Sequence, residues 1–166
     1  MKKDLKEYDE MIKITREFYN SLNIEISNDH IDEAVISLTM PKYFEEFNKK
    51  KSNIKNNILL KNHHGALSTV GDAVCEAYWM KEKYKISSTQ EELTNEKKAL
   101  TNKHLNIIGE KLLKDKLFAT NNDLINSNDN ENKKSYATAF EAVIGFISLI
   151  RPDEISKILD DNLKKE

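Results

Sequence analysis

The chain has 166 residues, 33% of them charged, and a formal net charge of −2 at pH 7. That length suits one domain with a core of its own, and the charge excludes a globally basic nucleic-acid binder while leaving room for a local basic face. A single cysteine, Cys75, excludes an internal disulfide and fits a reducing compartment; with no apolar leader and no membrane-length run, a soluble cytoplasmic protein is expected.

Leu5, Tyr8, Met11, Ile12, Thr15, Phe18, Tyr19 and Leu22 recur at helical spacing and predict an amphipathic first helix. Ser27, Asn28 and Asp29 are N-cap residues for a second helix carrying Ile31, Val35, Leu38 and Tyr43, which Pro41 bends or divides. Residues 49–62 read as a Lys/Asn-rich connection. The stretch 65–84 is almost wholly apolar in its first sixteen residues and predicts a central helix, with Gly71-Asp72 ending one turn and capping the next. Ser88-Thr89-Gln90-Glu91 has the capping-box pattern and opens a polar helix from 89 to about 101; Leu105, Ile108, Leu112 and Leu113 mark the next. The Asn-rich run 121–134 reads as a mobile loop, 135–150 as an apolar helix stopped by Arg151-Pro152, and the remainder as a short polar helix. No strand pattern is present, so the expected class is all-α.

Charge placement is the most informative feature. Residues 135–150, SYATAFEAVIGFISLI, carry one charge, Glu141; residues 65–80, GALSTVGDAVCEAYWM, carry two, Asp72 and Glu76. A carboxylate in an apolar helix is costly unless paired, hydrogen-bonded or bound to a metal. Taken singly, Glu141 reads equally as a structural carboxylate, Asp72 as an N-cap and Glu76 as a surface or interface contact. Two acids on two central helices together point to a divalent-cation site.

These residues also resemble a known family. The segment VGDAVCE at 70–76 resembles the signature helix of the ribonuclease III family, L-G-D-A-V-x-E, and FEAVIG at 140–145 resembles its second motif. NEKKALTN at 95–102 is similar to the helix pair between them, and SLTMPKY at 37–43 to an early family segment. The usual acids one turn before the Asp, three residues before the final Glu and near the start of the signature helix are here Ser68, Thr138 and Gly65. The compact Mini-III branch shares the YATAFEAVIGF pattern of 136–146, including Thr138, and lacks a separate duplex-RNA-binding domain.

The resemblance implies a ribonuclease III-like helical endonuclease domain over 28–152; the residue pattern adds an accessory helix within 1–27, which is not expected of the Mini-III branch, and a short closing helix within 153–166. It implies Mg²⁺-dependent hydrolysis of double-stranded or structured RNA, leaving 5′ phosphates, with Mn²⁺ as a substitute metal and ribosomal RNA maturation as a setting. Asp72 and Glu141 would be the metal ligands and catalytic pair, with Ser68, Thr138 and Glu76 in support. A homodimer through the helix of residues 65–80 would present two sites to one duplex. Lys97, Lys98, Lys103, His104, Lys133 and Lys134 are candidate RNA contacts, each also readable as a solvated surface residue; His63 and His64 read as loop residues first and phosphate contacts second. The alternative is an inactive module of the same fold that binds structured RNA or a ribonucleoprotein partner.

Overall fold

The computed structural model describes residues 5–50, 64–124 and 135–163, and all of the following concerns those residues. They form helices α1 (Tyr8–Ser21), α2 (Ile31–Ser37), α3 (Pro41–Lys50), α4 (His64–Tyr84), α5 (Gln90–Ala99), α6 (Asn102–Leu113), α7 (Asn121–Leu124), α8 (Ser135–Ile150) and α9 (Ile155–Leu163). No sheet occurs among them. The only extended pairing is an isolated parallel bridge, Thr39 to Phe118, in which Met40 N–H donates to the Phe118 carbonyl and Phe118 N–H to the Leu38 carbonyl, both at 2.9 Å.

Helix α8 is the axis of the fold. Its sequence is apolar on nearly every side, so it is stable only where neighbours surround it, and ten of its residues, from Ala137 through Ile147, are buried. It packs along α4 on one side and α6 on another. Small residues permit the close approach: a Cβ at Gly145 would stand 2.0 Å from the Leu67 carbonyl oxygen, and one at Gly109 of α6 would stand 2.2 Å from that of Tyr136. Asn106 fastens the start of α8, its Oδ1 accepting from the Tyr136 and Ala137 amides at 3.0 and 3.2 Å.

The terminal helices join the same core. Tyr19 of α1 packs edge-on against Phe146 at 5.2 Å and shares a 2.6 Å hydrogen bond with Ser37 of α2. Ile155, Ile158, Leu159 and Leu163 bury one face of α9, and Tyr78 of α4 donates to Asp160. The closing helix is therefore amphipathic rather than simply polar.

Pro41 divides the second predicted helix, as expected: α2 stops before the bridge at Thr39, and Pro41 opens α3 at a position where its missing amide costs nothing. Three other local expectations are revised. The expected caps at 27–29 make no side-chain capping bond; Asn28 Oδ1 instead accepts from Arg16 at 2.7 Å. At α5 the capping residue is Thr89, whose hydroxyl accepts from the Glu92 amide, while Glu92 reaches back to the Ser88 amide at 2.7 Å. Residues 121–124 of the expected loop form a helical turn, and 125–134 lie outside the described residues, as do 51–62 of the Lys/Asn-rich connection.

Candidate functional site

The two acid-bearing helices meet at one crossing. Helix α4 runs unbroken through Gly71, so that residue is no cap: a Cβ there would stand 1.7 Å from the Glu141 carbonyl oxygen and 2.9 Å from its Cα. The absent side chain lets the backbone of α4 touch the backbone of α8 at Glu141, and Asp72, the next residue, is near enough for its charge to act on the Glu141 carboxyl.

Burial divides the acids. Glu141 is 7% exposed, whereas Asp72 lies on the solvent face of α4 with Ala73, and Gly71 and Cys75 face inward. The expectation of two carboxylates within the apolar interior therefore holds for Glu141 alone. Burial and the neighbouring Asp72 charge push the Glu141 carboxyl up to about 7, from an ordinary value of 4.5. Ser68, one turn before Asp72 on α4, donates to Glu141 Oε2 at 3.5 Å, a long contact that offsets little of that shift. Buried Cys75 has its thiol pushed far up, by burial first and by the Glu141 and Asp72 charges second, so it is inert as a nucleophile at neutral pH.

The supporting residues separate. Thr138 is half-buried on α8, three residues before Glu141. Glu76, one turn after Asp72, is held by Lys97 of α5 at 2.9 Å. No three His, Cys, Asp or Glu side chains converge as a metal-binding group among the described residues.

The basic candidates differ in exposure. Lys97 and Lys103 are exposed, and His104 lies half-buried with its ring 6.3 Å from that of Trp79. Lys98 is on α5 with its side chain outside the description, and Lys133, Lys134 and His63 lie outside the described residues. His64 is not a loop residue. It opens α4, is 1% exposed and meets the Ile36 carbonyl at 3.1 Å through Nδ1, so it is closed to a phosphate.

Two features carried no local sequence mark. Asp123 of α7 accepts from the Lys42 and Tyr43 amides at 2.9 and 3.1 Å, capping α3 across eighty residues of chain, and from the Thr120 amide at 2.8 Å. A cavity of about 350 Å³ lies beside the far end of α4, lined by Tyr78, Trp79, Lys83 and Ile86 together with Leu163 of α9. It begins six residues beyond Asp72, roughly 9 Å of helical rise, and is separate from the acidic pair.

No helix among the described residues is long and apolar enough to cross a membrane. Compared with protein-family models, with curated proteins and with solved structures, the chain matches none of them.

Proposed function

We propose that this chain is a Mg²⁺-dependent endoribonuclease of reduced ribonuclease III type, cleaving double-stranded or structured RNA to leave 5′ phosphates. The observation that carries the reading is the Gly71–Glu141 crossing. The two segments that resemble the family's motifs, far apart in the chain, touch there and set an exposed Asp beside a buried Glu. Packing alone gives no reason for an acid at 141, because an Asp72 charge beside it raises the cost of its own ionisation.

The donor set suits a hard cation. Asp72, Glu141 and the Ser68 hydroxyl offer oxygen only, and a divalent charge would offset both the burial and the Asp72 repulsion that hold the Glu141 carboxyl at about 7. Asp72 and Glu141 would hold Mg²⁺, or Mn²⁺ in its place; the bound ion would supply charge neutralisation at the scissile phosphate and ease deprotonation of a water to the attacking hydroxide. Mg²⁺ keeps several waters, so two carboxylates and a substrate phosphate are a sufficient set. Ser68 steadies the Glu141 carboxylate, and Thr138 offers a further hydroxyl on that face of α8. Lys97, Lys103 and His104 take backbone phosphates, since an A-form major groove is too narrow to read. Exposed Ala66, Ala73 and Ala77 with half-buried Val70 and Val74 leave α4 a smooth face, which supports a homodimer through that helix. A cytoplasmic role in ribosomal RNA maturation belongs to the same reading.

One observation favours the alternative, a module that keeps the fold and binds RNA without cutting it: no three acids converge among the described residues, since Glu76, one turn from Asp72, is paired with Lys97. Cleavage of a long RNA duplex in Mg²⁺, with the Asp72→Asn/Glu141→Gln double variant alongside, separates the two. Cutting by the wild type alone supports the nuclease; duplex binding without cutting by either protein selects the binding module.

A further inference from the structure

We propose that Glu76 and Lys97 form an exchangeable latch, through which RNA binding delivers a third carboxylate to the Asp72–Glu141 pair; this rests on the reading of that pair as a cation site. Asp72 and Glu76 are four residues apart on α4 and share a helix face, so their side chains are neighbours. In the free protein Glu76 is turned to Lys97, with Oε1 and Nζ 2.9 Å apart and the two side chains 43% and 56% exposed. Its charge is thereby neutralised, which accounts for an acidic site with two members rather than three.

The helix that carries Lys97 is loosely held. None of the side chains described on α5 is buried. Besides the latch, polar contacts fasten it to α4: Trp79 Nε1–H donates to the Glu96 carbonyl at 2.9 Å, and Lys83 pairs with the Glu96 carboxylate at 3.6 Å while lying over the Trp79 ring. Exposed pairs of this kind are weak and salt-screened, and they exchange readily for a better anion. A backbone phosphate is such an anion, with several oxygens and a full charge to offer an ammonium.

When a phosphate takes Lys97, Glu76 is left as a second carboxylate one turn from Asp72. Like charges at that spacing repel, and a divalent cation between them removes the repulsion. Phosphate and cation therefore bind cooperatively, each favouring the other by the same factor. The free protein holds the metal loosely; the RNA complex holds it firmly.

The test needs no RNA, because Lys97→Ala opens the latch by itself. Mg²⁺ is titrated calorimetrically into the wild type, Lys97→Ala, Glu76→Gln and the double variant at low salt, with Asp72→Asn/Glu141→Gln as the reference for loss of the pair. Neither Glu76 nor Lys97 is buried, so the variants fold. Lys97→Ala is expected to tighten Mg²⁺ binding roughly threefold or more, Glu76→Gln to leave it within about twofold of the wild type, and the double variant to lose the gain. A gain that persists in the Glu76→Gln background is a general field effect of removing one cation, and overturns the latch while leaving the site standing. An unchanged affinity in Lys97→Ala overturns it likewise. Mg²⁺ binding absent from every protein, or insensitive to the Asp72→Asn/Glu141→Gln change, removes the site and the latch together.

Discussion

Gly71 and Glu141 share the space of a single methyl group: a Cβ on the first would stand 1.7 Å from the carbonyl oxygen of the second. Backbone fills that space, so no rotamer change relieves the clash and the helices must part. The same argument applies at Gly145 against the Leu67 carbonyl, at 2.0 Å. Gly71→Ala and Gly145→Ala are each expected to cost about 3 kcal/mol in urea denaturation, the upper end for overpacking a rigid site. Gly65, on the same helix with nothing within 4 Å, is the control. Gly65→Ala should be neutral or stabilising by up to about 1 kcal/mol, from helix propensity alone. Equal costs at Gly65 and Gly71 would show that the crossing is not the cause.

The outcome at Gly71 shows why the sequence was a partial guide. Glycine followed by aspartate reads locally as a stop and a cap, and only the partner helix reveals a contact point. The bounds of α8 were legible because its apolar run is bracketed by the Asn/Lys-rich segment and by Arg151-Pro152, whose proline cannot continue a helix. The exposure of Asp72 was not legible. Alanines at 66, 73 and 77 look apolar without requiring that they be covered, and Asp72 and Thr69 extend the same open side of α4. Asp123 lay beyond reach for another reason: its partners are some eighty positions away, and capping patterns report only adjacent chain.

Glu141 and His64 make opposing contributions over nearly the same pH range. The folded Glu141 carboxyl titrates at about 7, against 4.5 when unfolded, so between these values the native state holds more protons than the unfolded chain. Stability from this group is present at low pH and is lost as pH rises toward 7, on the order of 2 kcal/mol once screening beside exposed Asp72 is allowed for. Burial holds the folded His64 imidazole below its ordinary 6.5, so its contribution is present above 6.5 and is lost as pH falls through the folded value. Glu141→Gln should therefore be more stable than the wild type at pH 8, and should show a steeper loss of stability on acidification because His64 is no longer offset. Urea midpoints at pH 5 and pH 8 for both proteins check this. A variant less stable than the wild type at pH 8 would mark Glu141 as a needed structural partner instead.

Asp123 ties the segment before α8 to the start of α3. Its carboxylate satisfies two amides at the head of α3, the Thr120 amide and the Thr120 hydroxyl, the last at 3.1 Å. Removing an N-cap carboxylate costs about 1–2 kcal/mol, and here one side chain serves two elements. Asp123→Ala should lose stability in that range and raise amide exchange at Lys42, Tyr43 and Thr120, with α8 unaffected. Exchange confined to Thr120 would mean that α3 holds its first turn without help.

Duplex RNA affinity should depend steeply on salt. The net charge is −2, and the described residues among the candidate contacts are three, Lys97, Lys103 and His104. A few phosphate contacts give weak binding whose constant falls roughly 10- to 100-fold between about 50 and 200 mM salt, because each contact releases a counterion. Lys103→Ala should weaken binding similarly for all duplex sequences and lower the slope of log K against log salt by about 1. It should leave stability unchanged, since Lys103 is exposed at the head of α6, where Thr101 caps the His104 amide at 3.3 Å. Lys97→Ala is the informative contrast. Its lysine is already paired with Glu76, so a phosphate must displace a carboxylate rather than mobile ions, and the slope should change by less than for Lys103. Fluorescence anisotropy with a labelled duplex at four or five salt concentrations measures both slopes. Equal slopes for the two variants would show that Lys97 meets RNA unencumbered, and salt-independent binding would remove the phosphate-contact reading altogether.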